Sequence, residues 1–433
     1  MALVMRMQTK TVGEEASRRR ASLSRRVLDI LLLCTGDMEH LDENMKERSF
    51  VLQLAVWGLR GVARVILANN PLSGALILAA LYWASPWQGL LGTLGILAST
   101  LTAVIMGQDR TEVSGGLHGC NGMLVSLLMG VFSSAGDWYW WLLLPVCLCS
   151  ATCVFLYSGL TSLLVHWDLP VAVFPFNIII ILYLLCTGPN NPYFPHHSAV
   201  PPGVLEPNGT KVIVVAVISG IPLGVGQIFA CDAMGPSLLI LGAVVLYSPL
   251  LAAHALLGSA VGTLAGLSMA VSHDFLYSGL SGFNGALGCM AVGGLFFTFS
   301  WRTHVFAVAS AFLSAYADIA LGNLLGTVGL PACSWAATLT ATLMLLLTGS
   351  LAAYSIPIDQ VKAPEHNLYS RRRQWIARNT LERDSTVVEC ENAPTQANLN
   401  LTSLYSLGKN NNKPVKGERK PLLIRHEINK SDH

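Results

Sequence analysis

The chain has 433 residues, of which 52% are hydrophobic and 12% charged, with 39 glycines and a formal net charge of +2. That composition excludes a soluble enzyme of ordinary make-up; the net charge of +2 says little about partners, and no nucleic-acid partner is expected. Of the Asp, Glu, Lys and Arg residues, 17 lie in residues 1–49, 22 in residues 355–433 and 13 in the long stretch between. The middle therefore reads as a membrane body and the ends as solvated tails.

The basic residues orient that body. Of 27 Lys and Arg, 22 are in the two tails, and the central loop at 189–211 carries Lys211 alone. By the positive-inside rule both tails face the cytoplasm and the loop faces out. The Arg-rich N-terminus has no apolar core beside it of the kind a signal peptide needs, so none is expected. The ten cysteines are scattered through apolar segments without paired spacing, so neither a metal site nor a cofactor is implied.

In chain order, residues 1–49 form the N-terminal tail, where Arg18-Arg19-Arg20 precedes Ser22. That run suits a kinase preferring upstream arginines, with Ser22 as the acceptor, or equally an anchor to anionic lipid. Residues 37–48 suit a short amphipathic helix. Six apolar segments follow in a first membrane repeat, 50–188, at 51–68, 71–84, 87–107, 117–133, 140–166 and 170–187. The central loop holds Asn208-Gly209-Thr210, an N-glycosylation acceptor on the side where glycosylation occurs. Six more segments make a second repeat, 212–354, at 212–231, 234–249, 250–271, 280–300, 303–325 and 331–353. A polar tail at 355–433 closes the chain; the acceptor patterns at Asn400 and Asn429 fall in it, on the wrong side for glycosylation.

The two repeats are copies of one another. A shift of 163 positions lays Gly61-Val62 on Gly224-Val225, Ser85-Pro86 on Ser248-Pro249 and Asn121-Gly122 on Asn284-Gly285. Near the end a shift of 161 lays Leu169-Pro170 on Leu330-Pro331. Such self-similarity marks an internal duplication. With both tails inside and the joining loop outside, each half crosses an odd number of times, so one of its six segments does not cross. The glycine-rich stretch 115–122, with its counterpart 278–285, suits a re-entrant piece enclosed in protein. The expected fold is an all-α membrane protein, an inverted repeat of two halves, each with about five transmembrane helices and one re-entrant helix.

Leu169-Pro170 and Leu330-Pro331 each open a long apolar segment, and proline suits a first helical turn, whose N–H groups have no intrahelical partner. Two helix N-termini inside a membrane protein offer donors and a positive dipole end where little else is polar. A solute is expected there.

Leu169-Pro170 with Pro175-Phe176, the duplicated halves, Gly224-Val225-Gly226-Gln227 and Gln108-Asp109-Arg110 resemble the urea transporter family of vertebrates. So do Trp140-Trp141-Leu142-Leu143-Leu144-Pro145-Val146-Cys147 and Val328-Gly329-Leu330-Pro331-Ala332-Cys333, and the likeness runs from about Thr35 to Ile356. It implies a passive channel for urea in the plasma membrane, assembled as a homotrimer within the lipid bilayer, with a pore in each subunit. The pathway then passes Leu169 and Pro170, with Gln227 and Ser334 as its firmest contacts and Phe229, Phe283 and Trp335 as aromatic walls. Enzyme activity is not implied.

The first half departs from that pattern. Val173 stands where the family has threonine, Arg64 where it has glutamine, and Leu67 where it tends to have an aromatic. Arg64 either lines the pathway, adding a fixed charge with five donors and no acceptor, or pairs with a carboxylate such as Asp232. The altered half leaves a second reading, the same fold conducting water, ammonia or another small neutral amide. His118 and Cys120 read as structural filling, since no carboxylate in their segment orients the histidine. Asn121 and Asn284, which recur in the two halves, read as partners for backbone groups.

Overall fold

The structure, a computed structural model, describes residues 34–203, 211–347 and 354–377. Ser22, Asn208, Asn400 and Asn429 lie outside the described residues. The chain divides into two units, Met1–Arg371 and Arg372–His433, and everything below concerns the first.

An amphipathic α1 (Glu39–Met45) precedes the first set: α2 (Phe50–Arg64), α3 (Pro71–Ala84), α4 (Pro86–Ile105), α5 (Arg110–Ser114), α6 (Leu117–Phe132), α7 (Leu143–Leu164) and α8 (Phe174–Thr187). The second set is α9 (Val214–Gly226), α10 (Met234–Tyr247), α11 (Pro249–Ser268), α12 (His273–Tyr277), α13 (Phe283–Met290), α14 (Trp301–Gly326) and α15 (Trp335–Leu345). The bounds of α3, α4 and α5 recur in α10, α11 and α12 at the same shift of 163 that relates the sequences. Among the described residues, four helices are long and apolar enough to cross a membrane, α4, α7 with its flanking turns, α11 and α14, and a bent pair makes a fifth.

Local chemistry sets these bounds. The repeated Ser-Pro starts α4 and α11 alike: the Ser85 hydroxyl accepts from the Gln88 N–H at 3.3 Å, the Ser248 hydroxyl from the Leu251 N–H at 3.0 Å. In both, proline fills a first-turn position that has no N–H to satisfy. Asn70 starts α3 by accepting from Leu72 and Ser73, while its amide donates to the carbonyls of Cys34 and Gly36. The same tail segment is held a second way, since Asp37 accepts from the Tyr247 hydroxyl at 3.2 Å and from the Ala363 N–H at 2.9 Å.

The glycine-rich stretch is a turn feeding a helix. Gly116, at φ +74°, reverses the chain, and α6 then runs unbroken for 16 residues with His118 through Leu127 all buried. The sharp departure from a straight span lies elsewhere. The helical run Val214–Phe229 and α10 meet at 75°, across Ala230, whose φ of +54° matches the +60° of Leu67 in the first half.

Glycine lets α6 and α13 sit against their neighbours. A methyl group on Gly95 of α4 would stand 2.4 Å from the Gly122 carbonyl oxygen, and one on Gly258 of α11 would stand 2.4 Å from that of Gly285. Valine at Gly95 or Gly258 is therefore expected to abolish the folded, monodisperse species in detergent. Gly242→Ala, in α10 with nothing within 4 Å of the added carbon, is expected to be neutral or to stabilise by up to about 1 kcal/mol. Size-exclusion profiles and thermal melts of the three variants check this.

Candidate functional site

Two asparagines on the buried helices hold the two proline-marked bends. The Asn121 amide donates to the Ala172 carbonyl at 3.1 Å, and its oxygen accepts from the Phe176 N–H at 3.0 Å. Asn284 repeats this, donating to the Cys333 carbonyl at 3.0 Å and accepting from the Ala337 N–H at 3.1 Å. Ala172 and Cys333 both have left-handed backbones, φ +47° and +49°, at a cost of about 1–3 kcal/mol each. Each asparagine thus takes one orphan N–H of a helix start and one carbonyl of the strained residue before it. The sequence expectation that these asparagines serve backbone groups agrees with the geometry.

The prolines themselves lie in the bends. α8 starts at Phe174 and α15 at Trp335, four residues beyond Pro170 and Pro331, so the expectation that these prolines occupy a first helical turn is corrected. The chain is still turning at Ala172 and Cys333, and a helix begins only where the asparagine oxygen receives a first-turn N–H.

The starts of α8 and α15 meet head to head. Asn177 donates to the Ser334 hydroxyl at 3.2 Å, to the Val173 carbonyl at 3.1 Å and toward the Thr338 hydroxyl at 3.5 Å. Its oxygen accepts from the Ser334 N–H at 3.2 Å. Phe174 and Trp335 stand edge to face, 6.0 Å between ring centres. Ser334 is buried, its hydroxyl engaged by Asn177, a residue the sequence reading did not single out.

Arg64 does what glutamine does in the other half. Its Nε donates to the Gly115 carbonyl at 2.9 Å, and Gln227 Nε2 donates to the equivalent Ser278 carbonyl at 2.9 Å. No carboxylate lies within salt-bridge distance of Arg64 among the described residues, so the pairing with Asp232 is not formed. Asp232 instead belongs to the rim of a large cavity.

That cavity, of about 1080 Å³, brings together Gln227, Phe229, Phe283, Leu330 and Pro331. Arg64, Leu169, Pro170, Val173, Ser334 and Trp335 do not line it. Asp318, which stands out in the sequence as a carboxylate inside an apolar run, lines the cavity while being almost fully buried. Glu112 of α5, outside the glycine-rich segment, lies 3.5 Å from His118 Nε2, and Tyr157 packs edge-on against the ring at 4.6 Å. Cys120 is buried and donates to the Leu117 carbonyl, which suits filling.

Because Arg64 and Gln227 make one and the same backbone bond, Arg64→Gln is expected to leave thermal stability unchanged within about 0.5 kcal/mol. Arg64→Ala, which strands the Gly115 carbonyl, is expected to cost about 1–2 kcal/mol. Asn121→Ala and Asn284→Ala each remove the partner of two backbone groups and are expected to cost more than Arg64→Ala. Denaturation of the four variants in one detergent checks the order.

The chain matches the family described as Urea transporter over residues 55–349. It is similar to Urea transporter 1 of Capra hircus, 41% identical over 346 residues, covering 79% of this chain and 90% of that protein. It is 42% identical to Urea transporter 1 of Rattus norvegicus over 343 residues, covering 78% and 89%. The match to Mus musculus Urea transporter 1 is 41% over 341 residues, covering 78% and 88%. The matched residues take in both asparagine-held bends, the Arg64 and Gln227 positions and the cavity, and the chain is a multi-pass membrane protein that belongs to the urea transporter family.

Proposed function

We propose that this chain carries urea across the plasma membrane, passively and down its own gradient, through a pore in each subunit. The observation that carries the reading is its relation to proteins named Urea transporter 1 along nearly their whole length. The chemistry of the site supports it. Urea is planar, neutral and polar, and stripping its water costs several kcal/mol unless hydrogen bonds replace it. Phe229 and Phe283 offer flat apolar walls at the cavity and Gln227 an amide. Beyond them the α8 and α15 starts bring the Asn177, Ser334 and Thr338 side chains together, with Phe174 and Trp335 beside them. Leu169, Pro170 and Val173 flank the matching passage in the first half, where Arg64 adds donors for a urea carbonyl and a fixed charge that rejects cations.

The arrangement proposed is an inverted repeat, residues 50–188 and 212–354, each half crossing five times with one helix that does not cross. Inversion is supported by how equivalent helices meet. Ser73 of α3 donates to the Ala243 carbonyl of α10 at 2.7 Å, while Trp83 at the other end of α3 packs on Gly235. The pair is therefore antiparallel, as a two-fold axis in the membrane plane requires. Equivalent residues also touch at the second contact, Phe174 with Trp335 and Asn177 with Thr338. The non-crossing piece of each half is proposed to be the glycine-rich segment, 115–122 and its counterpart 278–285, which leads into a helix enclosed by its neighbours. Both tails are then cytoplasmic and the 189–211 loop external, which allows glycosylation at Asn208 and phosphorylation at Ser22. The family resemblance supports a homotrimer.

Uptake of labelled urea by proteoliposomes holding the purified chain, with no ion gradient and empty vesicles as control, tests the reading. Fast uptake that needs no ion gradient is expected, and Val173→Thr, which adds a hydroxyl at the α8 start, is expected to raise it. Uptake no faster than in empty vesicles by folded protein would refute urea transport. An unchanged rate in Val173→Thr would remove that residue from the pathway.

A further inference from the structure

Four carboxylates line the large cavity, Asp137, Asp232, Asp274 and Asp318, and among the described residues no lysine or arginine does. The first three are exposed at its rim, as is His197. Asp318 is different: it is 3% exposed, and its Oδ2 has no hydrogen-bond partner. Its neighbours are the Asn284 side chain and the Cys333 thiol, neither of which carries a compensating positive charge. A carboxyl group buried in this way is stable only as the neutral acid or beside a cation. The rim charges raise the local concentration of cations, and the cavity walls at Phe229 and Phe283 are aromatic faces that favour a flat cationic guest. At the first-half end no carboxylate among the described residues lies within salt-bridge distance of Arg64, so a cation that enters meets a like charge further on.

We infer that Asp318 makes the deep wall of this cavity a binding site for small planar cations of the guanidinium class, which compete there with a neutral amide and do not pass on. A guanidinium presents the same plane of N–H donors as urea, with a charge where urea has a carbonyl. Its donors reach the free Asp318 oxygen, and its charge replaces the proton that would otherwise neutralise the acid. Only the competition rests on the urea reading; the site itself does not.

Equilibrium binding of radiolabelled guanidinium at low-millimolar concentration to the full chain, purified in detergent, tests this without transport. Saturable binding is expected, weaker by at least about tenfold in Asp318→Asn and retained within about threefold in Asp318→Glu, which keeps the charge. Asp232→Asn with Asp274→Asn is expected to weaken it only a few-fold and to flatten its salt dependence. No saturable binding by folded wild-type protein, or binding that Asp318→Asn leaves unchanged, overturns the inference. In vesicles that take up urea, guanidinium added on the cavity side is expected to slow uptake without itself entering. Unaltered urea uptake at a concentration that saturates binding, or entry of labelled guanidinium, overturns the blocking role. A protein that binds guanidinium but carries no urea refutes the transport reading alone.

Discussion

Two buried carboxamides, Asn121 and Asn284, are what the centre of this molecule depends on. Each reaches from an enclosed helix to a chain that has just turned through a left-handed residue, and each completes the first turn of a helix that could not otherwise begin there. A stranded backbone group in so apolar an interior costs far more than a typical hydrogen bond contributes. The starts of α8 and α15 are therefore fixed in place by residues some 50 positions away in the chain, and the cavity, the Asn177 cluster and the aromatic pair follow from where those starts lie.

The fixed starts make the two halves alike in backbone while leaving their side chains free to differ. Arg64 and Gln227 make equivalent bonds to equivalent carbonyls, so the fold accepts either residue at that position. What changes is the charge each leaves over. One end of the proposed pathway carries an arginine with no carboxylate beside it, and the other opens on a cavity lined by four aspartates. A neutral solute is indifferent to that asymmetry and a cation is not, which is why selection by charge can be built on a scaffold that is symmetrical in its hydrogen bonds.

Much of the fold was legible because local chemistry decides it. The segment expected at 71–84 is α3, and the Ser-Pro pairs start α4 and α11 through hydroxyls three residues from their partners. The duplication was legible from spacing alone, and with it the recurrence of asparagine at 121 and 284. The features that spacing could not decide depend on long-range partners. The helix after Leu169-Pro170 begins late because Asn121 sets its start; the Ser334 hydroxyl is engaged because Asn177 lies 157 residues before it. Arg64 met a carbonyl 51 residues on rather than a carboxylate, and His118 found Glu112 on a separate short helix. The glycine-rich stretch turns at Gly116 and then forms the start of α6, where Gly122 lies too close to α4 for a side chain.

A structure determined experimentally with urea bound tests the central claim most directly. The account predicts solute density beside Gln227 between Phe229 and Phe283, continuing toward the Asn177 and Ser334 side chains where α8 meets α15. Density confined to the lipid-facing surface or to contacts between subunits, with that passage closed, would contradict it.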